Sequence, residues 1–224
     1  MTGVVNRAAG ERGTSLVEVM TTVLLLGIVL AVVYGGIGSL TTAAEGTSVR
    51  LQNLDEGRVM MATTTKDIRT ATQPTSGASA FVLAMPNELQ LYANLDNPNA
   101  AASLVHLFIN SSTELVEEYT PATDATGTVV CTQWPCSYLN AKKKTRFVGR
   151  FVVNNAANPL FTYLDVAGSV LPAGGAALSG TQLLQVRSVQ VNLSVSKTHA
   201  YSVGTTAMEN TVGLPNVAFQ QQAG

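Results

Sequence analysis

The chain has 224 residues, 13 Lys and Arg against 14 Asp and Glu, and a net charge of −1, so no global field draws it to nucleic acid or an anionic surface. Charged residues are 12% and hydrophobic residues 46%, which excludes both a disordered chain and a multi-span transporter. Two cysteines and two widely spaced histidines exclude a dense disulfide scaffold, a four-cysteine zinc site and a His-rich metal site.

The N-terminal region is the most informative. Arg7 and Arg12 precede a stretch from Val19 to Ala44 that carries no charged side chain, with its apolar heart at Val23 to Ile37. As a helix, Leu16 to Ile37 is about 33 Å long, enough to cross a hydrocarbon core of about 30 Å. No second run of this kind occurs. The basic residues lie before the span and Glu45 follows it, so the positive-inside rule places the N-terminal end in the cytoplasm and the rest outside. A cleaved secretory signal is the competing reading, but its apolar region spans about 7–15 residues, and the nearest cleavage candidate is Thr42-Ala43-Ala44 before Glu45. Glu18 sits at the entrance to the apolar run. A carboxylate there is costly in lipid and calls for a cationic partner, which this helix does not supply.

Arg12-Gly13-Thr14-Ser15-Leu16-Val17-Glu18 resembles the prepilin peptidase site of type IV pilins and type II secretion pseudopilins. The shared pattern is a short basic leader ending in Gly, a Glu five residues after the cut, and an uninterrupted apolar helix. The resemblance implies cleavage between Gly13 and Thr14, N-methylation of Thr14, and pairing of Glu18 with the terminal amine of a neighbouring subunit. It departs from the family at Thr14, where Phe is usual. Gly27, Gly35, Gly36 and Gly38 interrupt the span; such glycines are common in membrane helices and also permit close packing or local unwinding in a fibre.

Beyond the span, Leu51, Leu54, Met61 and Ile68 recur at helical spacing, with Val59 and Met60 filling in and charges between them. One helix is therefore predicted from about Ser15 to about Ala71, ending before Pro74. Lys66 to Ala71 resembles the end of this helix in larger minor pilins and J-type minor pseudopilins. The period then changes to two. Strands are predicted at Phe81–Met85, Glu88–Tyr92, Leu104–Ile109, Glu114–Tyr119, Gly127–Thr132, Arg146–Val153, Leu160–Leu164 and Leu183–Ser196, and Pro172 to Gly180 reads as a flexible surface connection. Asn210 to Asn216 resembles the last strand and tail of the same minor pilins. The predicted fold is α+β, a long helix with a membrane-spanning first half and an amphipathic second half, packed on an antiparallel sheet head. Its divisions are 1–13 leader, 14–42 apolar helix, 43–72 amphipathic continuation and 73–224 extracytoplasmic head.

Within the head, Cys131 and Cys136 bracket Thr-Gln-Trp-Pro, and an extracytoplasmic location favours a disulfide; a redox or metal role is the alternative. Lys142-Lys143-Lys144, with Arg146 and Arg150, is the one basic run, either a solvated hairpin loop or a contact to DNA phosphates or a partner pilin. Catalytic signatures are missing: there is no G-x-S-x-G, no P-loop and no H-E-x-x-H. His106 and His199 read as surface or hydrogen-bonded histidines, Glu117 and Glu118 as alternating to opposite faces of a strand, and Asp96 as a turn residue.

The expectation is a structural, non-enzymatic minor pilin without metal or cofactor. The resemblance implies that prepilin peptidase processes it, that an inner-membrane assembly platform and other pilin subunits are its partners, and that a large head suits a tip or priming position. A type II secretion pseudopilin and a DNA-uptake pilin are the alternatives within the family. A single-pass anchored extracytoplasmic binding protein is the alternative from another class.

Overall fold

The computed structural model describes residues 15–95, 101–127, 130–171, 177–197 and 204–217. It is α+β: one long N-terminal helix, α1 (Leu16–Arg69), and two antiparallel sheets. The chain divides into two units between Thr47 and Ser48, inside α1.

In the first unit, α1 carries the apolar run. Its large apolar side chains from Leu16 to Leu40 are 46–77% exposed, so nothing among the described residues covers them. The helix is long and apolar enough to cross a membrane.

The second unit holds the head. Strands β1 (Phe81–Met85), β2 (Glu88–Ala93), β3 (Ser103–Ile109), β4 (Leu115–Thr120) and β5 (Lys144–Gly149) form a five-stranded sheet in chain order. Alternation sets their faces: Val105 and Leu107 of β3 are fully buried, while Leu104 and His106 between them are partly exposed. The second sheet comprises β6 (Phe161–Leu164), β7 (Ser188–Val195) and β8 (Thr206–Gly213), with β7 central. Leu89, Leu91, Val105 and Leu107 from the first sheet join Phe161, Tyr163, Val189, Val191 and Leu193 from the second in one core.

Several elements differ from the sequence expectation. Among the described residues of 127–132 none lies in a strand: Gly127 closes a turn on Asp124 with φ of 73°, and Val130 makes an isolated bridge to Thr123. Strand β5 stops at Gly149 because Phe151 takes φ of 63°, which turns the chain so that Val152 bridges Val195 of the other sheet. Leu183 ends a short helix, α2 (Gly180–Leu183), whose Gln182 side chain accepts a bond from the Ser179 amide, so β7 begins only at Ser188. Leu178, in the segment expected to be a flexible connection, is buried and its amide donates to Ala84; residues 172–176 lie outside the described residues. Helix α1 ends at Arg69, because Ala71 bridges Ala93 and the Thr72 amide donates to the Tyr92 carbonyl, taking the chain into the edge of β2.

The buried face of the second half of α1 matches the expected stripe only in part: Met60 and Ile68 are fully buried and Met61 packs on the core, but other expected positions are exposed. Leu51 and Val59 are 57% and 59% exposed. The buried positions are Asn53, Gly57, Met60, Thr64, Thr65, Asp67 and Ile68, a helical stripe built largely from polar and small residues. At Gly57 a Cβ would stand 1.7 Å from Cε of Met208, so the bare glycine leaves room for the tip of that β8 side chain. Asn53 replaces an apolar contact with two hydrogen bonds, donating to the Gly204 carbonyl and accepting from the Lys197 amide.

Candidate functional site

Gly13 and Thr14 lie outside the described residues. Glu18 falls in the first turn of α1, where the Ser15 carbonyl accepts from the Glu18 and Val19 amides at 2.9 and 3.2 Å. The unpaired amides of a helix start favour a carboxylate at this position. Thr21 and Thr22 turn their hydroxyls inward onto the Glu18 carbonyl, each at 3.0 Å, so their polar atoms are satisfied within the helix and the surface is left apolar. What results is one acid at the head of an apolar helix that no described residue covers.

The basic run of the head sits where chain 140–150 joins the sheet. Asn140–Lys142 is a short 3-10 turn, Lys143 links it to β5, and β5 pairs with β4. Three of the five cations meet carboxylates of β4 or of the turn before it. Lys143 Nζ lies 2.8 Å from Glu118, Arg150 Nε lies 3.3 Å from Glu114, and Arg146 pairs with the buried Glu117. Lys142 and Lys144 make no ion pair among the described residues. The hairpin is thus largely charge-matched rather than a bare cationic surface.

Glu117 and Glu118 do point to opposite faces. On the Glu118 face, His106 is held between two carboxylates, Nε2 at 2.8 Å from Glu88 and Nδ1 at 3.3 Å from Glu118, with its ring stacked on Phe108. Burial acts to raise the Glu118 pKa, but hydrogen bonds from Lys143 and His106, with their charges, outweigh it and hold the carboxyl below its ordinary value. Both ring nitrogens of His106 are therefore within hydrogen-bond distance of a carboxylate. On the Glu117 face lies Asp67 of α1, buried, with Oδ2 lacking a hydrogen-bond partner. No group of three or more metal-ligating side chains occurs among the described residues.

Cys131 and Cys136 are joined as a disulfide. The closed loop is fastened to the sheet: the Ala101 amide donates to the Cys131 carbonyl, Thr123 and Ser137 exchange backbone bonds, and the Tyr138 hydroxyl donates to the Ala102 carbonyl. Trp134, inside the loop, packs edge-on to Tyr92 at 5.7 Å and beside Tyr138 at 6.4 Å. Asp96 and His199 lie outside the described residues.

Sequence reasoning missed Asp67 as a site residue and Glu88 as a partner of His106. The adjacent Glu117-Glu118 pair was the one available signal, because two neighbouring acids on a strand need partners on both faces. Comparison with protein-family models, with characterised proteins and with solved structures finds no match to this chain.

Proposed function

We propose that this chain is a minor type IV pilin-like subunit, cut after Gly13, methylated on Thr14 and assembled through its N-terminal helix into or at the tip of a fibre. The observation that carries the reading is Glu18: a single acid, five residues past Gly13, heading a helix whose apolar side chains have no cover among the described residues. Such a surface needs either lipid or other helices. A pilin uses both in turn, lipid before assembly and neighbouring helices after it.

The acid has a physical role in that scheme. In an apolar fibre core an unpaired carboxylate is expensive, and a facing ammonium removes the cost. The new terminal amine at Thr14 of a neighbouring copy or partner pilin supplies it. The pairing rewards one axial register and penalises the others. A plain membrane anchor gains nothing from Glu18. The head then stands on the extracytoplasmic side, with the N-terminal end in the cytoplasm where the peptidase acts.

The test is mass spectrometry of the N-terminal peptide from membrane-extracted protein in its native host. A terminus at Thr14 carrying one methyl group is expected. A terminus at Met1 or Thr2, or one near Glu45, would overturn the pilin reading and leave an anchored or exported head. The Glu18→Ala variant should be processed and remain in the membrane while failing to enter fibres.

A further inference from the structure

The end of α1 is attached to the head in two ways. Its backbone enters the sheet beside β2: the Thr72 amide donates to Tyr92, the Asn94 amide donates to Thr70, and Ala71 bridges Ala93. Its side chains meet β4 and β5 one turn earlier, and the contact there is between two acids. Asp67 is 2% exposed and Glu117 is 7% exposed, and the two carboxyls line one cleft, with Glu117 acting directly on the Asp67 carboxyl. Two carboxylates cannot hydrogen-bond each other; one must hold the proton. The second Asp67 oxygen, Oδ2, has no partner, so no protein donor compensates a negative charge on it.

Facing the pair, α1 supplies Lys66, β4 supplies Tyr119, and β5 supplies Lys144 and Arg146. Of the cations around the two acids only Arg146 makes an ion pair with either, and it goes to Glu117, not Asp67. A cleft of about 300 Å³ lined by both acids gives water, and hence protons, a route to them.

We propose that Asp67 and Glu117 form a proton-sharing latch that seats the end of α1 on the β4–β5 side of the head when singly protonated, and weakens that seat when the shared proton is lost. The latch lies in the head, away from the apolar run, and does not depend on fibre assembly. It makes the docking of the long helix responsive to the pH of the compartment that holds the head.

The direction follows from linkage. Burial, the charge of Glu117 and the hydrogen bond to it raise the Asp67 pKa from 3.8 to about 7, against the lowering influence of Arg146 and Lys66. A group whose folded value is raised stabilises fully below its unfolded value, and that contribution is lost as pH climbs to the folded value. Between pH 5.5 and 8.5 the unfolding equilibrium constant should rise roughly thirty-fold from this one proton.

The experiment is thermal unfolding of the full chain in detergent micelles from pH 5 to 9, for wild type and Asp67→Asn. The variant's amide can donate to Glu117 at every pH, so it fixes the latch closed. Wild type should lose stability as pH rises from 5 to about 7 and level off above it, and Asp67→Asn should show no such fall; groups elsewhere titrate alike in both and cancel in the difference. Parallel wild-type and variant curves across the range would overturn the proposal. Should the variant fail to fold, carbon-13 NMR of the wild-type Asp side-chain carboxyls decides. A carboxyl titrating near neutrality, moved or abolished by Glu117→Gln, supports the latch; every Asp titrating below pH 5 refutes it.

Discussion

Met60 and Val59 are neighbours in α1 with opposite environments, and truncating each to Ala tests which face of the helix seats on the head. Met60 is fully buried, whereas Val59 is 59% exposed. Met60 lies against the backbone of β5: a Cβ placed on Gly149 would fall 2.4 Å from its Cγ. Gly149 has no side chain to swing into the space that Met60→Ala leaves, so the site collapses poorly. Loss of a buried Met in such a setting costs about 3 kcal/mol, within the usual range of about 2–5. For a chain of this size each kcal/mol moves the melting temperature by about 2–4 °C, giving a fall of roughly 6–12 °C. Val59→Ala and Leu51→Ala remove exposed atoms and should each stay within about 0.5 kcal/mol of wild type. The assay is circular-dichroism melting of the detergent-solubilised full chain. A drop for Val59→Ala or Leu51→Ala as large as that for Met60→Ala would refute the assignment and place the docked face on the Leu51–Val59 side of the helix.

Two further outcomes follow from single contacts. Asn53→Ala should cost about 1–3 kcal/mol, because it leaves the Lys197 amide and the Gly204 carbonyl without the Asn53 side chain, while Asp55→Ala on the exposed face should cost almost nothing; denaturant titration of the two variants measures the difference. Reducing the Cys131–Cys136 disulfide should cost only about 2 kcal/mol, the loop entropy of so short a ring, and should leave the rest of the head folded. A melt with and without reductant checks it, and complete unfolding on reduction would contradict the small-loop argument.

Strands β1 to β4 were legible because each alternates cleanly and is bounded by turn residues such as Pro86-Asn87. The ends of β5 and β7 were not. Phe151 breaks β5 by adopting a left-handed backbone that aromatic residues rarely take, and the helical turn α2 runs through Leu183 into the start of the stretch that reads as strand. The docked face of α1 was legible at Met60 and Ile68, and the rest of it was hidden for another reason. Periodicity counts hydrophobic residues, yet that face works through a glycine that admits Met208, an asparagine that replaces packing with hydrogen bonds, and an aspartate that meets Glu117. The motif around Glu18 could be read because it is linear. Asp67 with Glu117 could not, because only tertiary folding brings residues fifty apart together.

The same charge-matching bears on whether the head can hold DNA. A bare run of five cations would neutralise several phosphates, and each one neutralised steepens the dependence of log K on log salt by about 0.9. Here Lys143, Arg146 and Arg150 are each within ion-pair distance of Glu118, Glu117 and Glu114. A phosphate must displace a carboxylate to reach them, which returns most of the energy gained. Only Lys142 and Lys144 offer unmatched charge, so this run should contribute a slope of no more than about 2. Fluorescence anisotropy with a labelled duplex over a salt series measures it. Lys142→Ala with Lys144→Ala should remove nearly all of the run's contribution, and Lys143→Ala with Arg150→Ala almost none. An equal loss from the second pair would mean that the ion pairs open on contact, and that β4 holds its cations in reserve for a polyanion rather than for itself.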